Sequence, residues 1–255
     1  MPNFKITIAY DGGPFVGWQR QAEGTSIQGL VEDALADLEG GQVTVAAAGR
    51  TDAGVHAMAQ VANFALNRDI APDVIVRSLN AKLPVEIRVR SAEIVPSSFH
   101  ARFDAKAKSY RYRLWNAEVL NPFERAYVWH VATALDVGVM ADAARLIEGR
   151  HDFAAFQTAG STPGPTDRLI TRSTLSAAGD GLVTYDVTGE GFLRHMVRTI
   201  VGTLVEVGRG RQRPEWIRDV IASRDRAQAG RTAPPNGLFL VRVDYGDVQF
   251  GAHVP

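Results

Sequence analysis

Two hydrophobic periods interleave along this chain without the strict strand–helix–strand rhythm that builds a parallel sheet, and that mixture constrains its fold more than any other feature. Phe4, Ile6, Ile8 and Tyr10 alternate with Lys5, Thr7 and Ala9, the pattern of a half-buried strand that Asp11-Gly12-Gly13-Pro14 ends. Thr25, three residues before Gln28, predicts a capping box. Ile27, Leu30, Val31, Ala34, Leu35 and Leu38 then recur at helical spacing until Gly40-Gly41 closes the helix. Strands are predicted over 43–48 and 61–66, a helix over 73–83 stopped by Pro84, and a strand over 85–95. The second half replays this order loosely. It has a strand over 109–115, a helix capped by Asp136 and running to Ile147, and strands over 170–175 and 182–187. A helix over 192–207 follows, then one opened by Pro214 and a last strand over 238–243. The order predicts an α+β fold with an antiparallel-rich sheet.

Composition removes several function classes. The apolar fraction of 45% and a formal net charge of zero, with 28 cations against 28 anions, exclude a disordered chain. Without cysteine, disulfides, thiolate zinc sites, Fe–S clusters and a cysteine nucleophile are excluded. The six histidines are scattered, with no HExxH, so no metal site is expected. Walker, GxGxxG and GxSxG motifs are missing, which leaves nucleotide cofactors and serine hydrolysis unindicated. No apolar run of about 18 residues occurs. The opening Met1-Pro2-Asn3-Phe4-Lys5 enters a strand without a secretory leader pattern. The expectation is a soluble, cytoplasmic protein with no membrane partner.

Charge is nonetheless segregated. Arg102, Lys106, Lys108, Arg111 and Arg113 stand against Asp104 alone, and Arg194, Arg198, Arg209, Arg211 and Arg213 against Glu206 alone. Each stretch fits either a solvated arginine face or a contact for polyanions. Three segments could carry chemistry. The loop Ala48-Gly49-Arg50-Thr51-Asp52-Ala53-Gly54-Val55-His56 follows a strand and sets a carboxylate two residues from an arginine, among small residues that let a bulky ligand approach. It also fits an ordinary hairpin in which Asp52 makes an Asx-turn. In Phe192-Leu193-Arg194-His195-Met196-Val197-Arg198 a helix would set Arg194 and Arg198 one turn apart, poised for a carboxylate or facing water. An arginine beside Asp52 would keep that acid ionised. Ser109-Tyr110-Arg111-Tyr112-Arg113 alternates aromatic and basic residues, which suits stacked bases and neutralised phosphates but equally a plain strand with one apolar face.

Taken together, these segments resemble the tRNA pseudouridine synthase A family over nearly the whole chain. The resemblance rests on Tyr10-Asp11-Gly12 with Gly17-Trp18-Gln19-Arg20-Gln21, on Thr25-Ser26-Ile27-Gln28-Gly29, and on the loop from Ala48 to His56. It extends through Ser98-Phe99-His100-Ala101-Arg102-Phe103, Lys108 to Tyr112, Phe192 to Gly202 and Gly237 to Tyr245. It implies two RRM-like (ferredoxin-like) halves, 1–104 and 105–247, sharing a mostly antiparallel central sheet, followed by a 248–255 tail. It further implies a homodimer across which a tRNA lies, with its anticodon arm entering one cleft. The reaction would convert uridine to pseudouridine just 3′ of the anticodon, at tRNA positions 38, 39 and 40, with no cofactor and no metal. Asp52 falls on the family's catalytic aspartate, attacking ribose C1′ or base C6 or acting through a glycal. Tyr110 falls on the active-site tyrosine that stacks on the target base, Arg198 on the arginine that pairs with the aspartate, and Arg50 on the residue that helps displace the flipped base. Arg111, Arg194 and His195 are further substrate contacts, and Leu240, with Leu238, an apolar wall of the pocket. The loop 157–169, containing Ser161-Thr162-Pro163-Gly164-Pro165, would be mobile. A non-catalytic tRNA-binding or tRNA-folding protein on the same scaffold is the alternative, and the intact Asp52, Tyr110 and Arg198 favour the enzyme.

Overall fold

The computed structural model describes residues 1–158, 160 and 164–246; the 248–255 tail and the centre of the 157–169 loop, at 159 and 161–163, lie outside the described residues. The chain forms two compact units, Met1–Lys106 together with the chain from Leu240 on, and Ala107–Phe239. Both mix strands and helices, so the fold is α+β.

In the first unit β1 (Asn3–Tyr10) is followed by α1 (Ile27–Glu39), the two-residue β2 (Ala46–Ala47), β3 (His56–Ala65), α2 (Pro72–Lys82) and β4 (Ile87–Val95). Strand β1 is central, antiparallel to β3 with Phe4 opposite Phe64 and to β4 with Phe4 opposite Ile94, and β2 pairs antiparallel with β3. The alternation read from the sequence is realised: Phe4, Ile6, Ile8 and Tyr10 are all buried. A second cluster of Ala48, Val61, Val95, Phe99, Ala101 and Tyr245 is buried in the same unit, and the Lys5 ammonium lies over the Phe99 and Tyr245 rings.

The second unit holds β5 (Ala107–Trp115), β6 (Trp129–His130), α3 (Val137–Arg145), β7 (Gly149–Asp152), β8 (Asp167–Ala177), β9 (Leu182–Gly189), α4 (Met196–Gly208) and α5 (Trp216–Ser223). Strands β5, β9, β8 and β7 pair antiparallel in that order, and β6 runs parallel along β5. Helix α4 is buried along nearly its whole length, with Val197, Ile200, Val201 and Leu204 in the core, which fits its run of apolar residues. The last strand, β10 (Leu238–Asp244), groups from Leu240 onward with the first unit, where it lies beside β3.

Several local expectations shift, each for a visible reason. The cap of α1 is Ser26, not Thr25: Ser26 is extended and its side chain accepts from the Gly29 N–H. Gln28 takes no part in a capping box, because its side chain accepts from the Arg20 N–H and donates to Glu32 and to the Val45 carbonyl. That same pair of side chains shortens the strand expected over 43–48, since Glu32 also accepts from the Val45 N–H and takes hydrogen bonds a ladder would have used. Strand β3 begins at His56, five residues before the apolar run that marks it in the sequence. Val85 is exposed and precedes β4. Helix α4 starts only at Met196, because His195 adopts a left-handed backbone with φ 61°.

Candidate active site

The 48–56 loop is held from its neighbours and through its own backbone. Gln60, fully buried on β3, donates to the Gly49 carbonyl at 2.8 Å, and the buried Tyr10 hydroxyl bonds the Thr51 hydroxyl at 2.8 Å. The Trp18 N–H reaches the Thr51 carbonyl at 3.0 Å. The Val55 N–H closes a turn onto the Asp52 carbonyl at 3.1 Å. Beneath it, Gly12 comes so close that a Cβ there would sit 2.0 Å from the Val55 carbonyl oxygen. The Gly12 N–H donates to Nδ1 of the buried His56, and the Asp11 carboxylate lies 3.0 Å from the same nitrogen. Burial pushes the Tyr10 phenol up to about 12, against the hydrogen bonds from Thr51 and Gln60 that favour its ionised form. It therefore stays protonated around neutral pH. The carboxylate-bearing Asp52 is half-buried at the start of the turn, and Arg50 is exposed two residues before it.

In the second unit β5 sets Tyr110 and Tyr112 on its buried side, with Arg111 and Arg113 on the other, as the alternation predicts. Tyr110 meets the Phe192 ring edge-on at 5.0 Å. The Tyr112 hydroxyl donates to the Pro234 carbonyl, and its ring meets Trp129 edge-on. Arg198, in the first turn of α4, donates from Nε to the Ala233 carbonyl at 2.7 Å, while the Arg198 carbonyl accepts from the Ala233 N–H. Fixing Nε fixes the direction in which the rest of the planar guanidinium faces. His195 joins Thr158 through Nδ1, and the Thr158 N–H bonds the Arg194 carbonyl.

The other expected contacts fall out differently. Because α4 starts at Met196, Arg194 is not one helical turn from Arg198; it sits exposed in the preceding turn. Arg111 forms a two-pronged ion pair with Asp186, its direct cross-strand neighbour on β9. Arg113 pairs with Glu124, Arg209 and Arg211 share Glu206, and Arg213 pairs with Asp219. The local excess of charge is thus smaller than the sequence tally, because Glu124, Asp186 and Asp219, which lie outside the counted stretches, neutralise part of it. Leu238 and Leu240 are buried at the start of β10. Gln60 and the Tyr10–Thr51 bond escaped the sequence reading, and Phe192, quoted there within a candidate segment, has no role assigned to it. Only Gln60, a polar residue just ahead of an apolar strand, offered a signal there.

In the first unit a fastened loop carries a half-buried aspartate, a group suited to acid–base or nucleophilic chemistry; in the second, by itself, an arginine is anchored at the head of an apolar helix and a tyrosine on a strand. The sequence pattern described as tRNA pseudouridine synthase matches residues 6–104 and 143–246. A tRNA pseudouridine synthase A of Solibacter usitatus is 48% identical over 248 residues, 96% of this chain and 100% of that protein. One from Moorella thermoacetica is 47% identical, over 96% of this chain and 100% of its own length, and one from Syntrophotalea carbinolica 46%, over 94% and 95%. The chain belongs to the tRNA pseudouridine synthase family, whose enzymes are isomerases.

Among the described residues no three His, Asp or Glu side chains group as a metal site would require, and no helix is long and apolar enough to cross a membrane.

Proposed function

We propose that the protein isomerises uridine to pseudouridine in the anticodon stem-loop of tRNA, just 3′ of the anticodon. It would work as a cytoplasmic homodimer of chains built from two RRM-like halves that divide near residue 105. The observation that carries this reading is the fastened loop with Asp52 at its turn, in a chain of this family. Asp52 is the nucleophile, acting on ribose C1′, on base C6 or through a glycal. In each route the C1′–N1 bond breaks, the freed uracil turns, and a C1′–C5 bond forms. The C5 proton leaves and N1 takes one up, so atoms and electrons balance without an oxidant or reductant. Arg198 is the positive charge that partners the aspartate, as the family's pattern implies. Tyr110 stacks on the target base and assists loss of the C5 proton. Extracting the nucleotide from its stack costs roughly a few kcal/mol, and the exposed Arg50 is suited to fill the gap and meet phosphate. Leu240 belongs to the apolar wall that keeps water from the detached base.

Transcripts labelled with tritium at uridine C5 test this. The wild-type protein releases label, and carbodiimide-based primer extension maps the product to the anticodon arm. Asp52→Ala binds tRNA nearly as well and releases none. Label release by Asp52→Ala would remove the aspartate from its role, and a wild type that binds but never releases label would mark a non-catalytic binder.

A further inference from the structure

Arg231 lies in a segment that the sequence reading left unremarked, between α5 and β10. Its guanidinium carbon sits 4.8 Å from the centre of the Trp129 ring, a cation–π contact with a largely buried indole. Several arginines named so far are neutralised by a carboxylate; Arg231 is exposed and makes no ion pair among the described residues. Stacking on an indole face holds a guanidinium flat while its N–H edge stays open to an acceptor, so the donors are oriented before a ligand arrives.

The backbone beneath Arg231 is fixed against the helix that carries Arg198. A Cβ at Gly202 in α4 would sit 1.7 Å from the Arg231 carbonyl oxygen, so the segment and the helix touch backbone to backbone. The Gly230 N–H donates to the Thr203 hydroxyl at 3.0 Å, and two residues beyond Arg231 the Ala233 carbonyl takes the Arg198 Nε. Arg198 and Arg231 are therefore set by one strap. Both make themselves felt at the buried Tyr112 phenol: burial pushes its pKa up, and the two guanidiniums act to lower it. Of the two cations on this strap, Arg231 is the one that lies over a ring, is exposed and makes no ion pair among the described residues.

We infer that Arg231, stacked on Trp129, is a substrate-binding residue that takes a phosphodiester of the tRNA backbone. This rests on the tRNA-modifying reading above. Arg231 binds and positions; it takes no part in bond making, and the charge on a phosphodiester is what its N–H edge matches.

The test measures tRNA affinity by filter binding, and kcat by tritium release, for wild type, Arg231→Gln and Arg231→Lys across about 50 to 200 mM salt. Arg231→Gln is expected to weaken binding about tenfold at the lowest salt. It also lowers the slope of log affinity against log salt by about one charge, and leaves kcat at saturating tRNA unchanged. Arg231→Lys keeps the slope, since the charge remains, but loses part of the affinity because an ammonium neither stacks nor forks. If Arg231→Gln does not fold, Trp129→Phe serves instead, with an unchanged slope and an intermediate loss of affinity from a weaker π face. Wild-type affinity and slope in Arg231→Gln, or a fall in kcat with binding intact, would overturn the inference and leave Arg231 as a cover for Trp129. Failure of the underlying reading shows separately, as a wild type that releases no tritium from any tRNA.

Discussion

The loop that carries Asp52 and the helix start that carries Arg198 are held in opposite ways. The loop is fastened through its backbone and neighbours: Gly12 packed on Val55, Trp18 on the Thr51 carbonyl, Gln60 on the Gly49 carbonyl, Tyr10 on the Thr51 hydroxyl. Arg198 is held by its own side chain, through Nε to Ala233. The difference teaches where damage should register. Disturbing the loop's supports moves the carboxylate and loosens the unit together, whereas changing Arg198 removes a functional group whose helix remains packed by apolar residues.

Gly12→Ala should show the largest effect. A methyl group there meets the Val55 carbonyl carbon and oxygen, backbone atoms that cannot swing aside, so stability falls by about 3 kcal/mol or more and activity is lost. Urea midpoints and tritium release measured on the same preparation check this, and a Gly12→Ala protein of normal stability and activity would break the comparison at once. Arg198→Lys comes next. Activity is expected to drop about a hundredfold from misplacement of the positive charge, with stability lowered by only about 1 kcal/mol for the lost hydrogen bond to Ala233. Equal losses in both would show that the arginine, too, is chiefly structural.

Tyr10→Phe is the mildest. It strips the Thr51 hydroxyl of its partner at a cost of about 1–2 kcal/mol and reduces activity modestly. It also carries a pH signature. The Tyr10 phenol is raised to about 12 by burial, above its unfolded value near 10. The folded state therefore keeps a proton that the unfolded state sheds. The stability this gives is whole below pH 10 and lost as pH rises toward 12. Burial raises the Tyr112, Tyr185 and Tyr245 phenols as well. The protein should thus lose stability steeply above pH 10, and Tyr10→Phe should soften that loss in urea titrations between pH 9 and 12.

Alternation and helical spacing made most elements legible, because burial on one face leaves a period in the sequence whatever the topology. β1 and β5 show this plainly, with Phe4 to Tyr10 and Tyr110 to Leu114 buried on every second residue. What failed was decided by hydrogen bonds between distant side chains and backbone. Glu32 and Gln28 take the ladder bonds of Val45, shortening a strand that its valines predicted. The left-handed His195 sets the start of α4, and no spacing of apolar residues reports a single backbone angle. The Asp52 loop stood out by its small residues and its lone acid, but the clamp around it was invisible, since Tyr10 and Gln60 are ordinary strand residues until their partners are known. Charge was misread for the same reason: Asp186 lies far along the chain from Arg111, and Glu124 just beyond the stretch that holds Arg113.

The grouping of β10 with the first unit bears on how the protein is made. Strand β3 is flanked by β1 on one side and by β10 on the other. The Tyr245 hydroxyl, just past β10, reaches back to the Ala101 carbonyl, and the Lys106 N–H to that of Asp244. A nascent chain whose residues 1–106 have left the ribosome therefore holds a β3 whose outer side is covered only by the two-residue β2, and it waits for β10 while the whole of the second unit is added. Unpaired edges of that kind invite pairing with other chains. A message cut short a dozen codons before Leu240 would therefore leave its mark on the part of the protein made first, where β3 would stay without its neighbour.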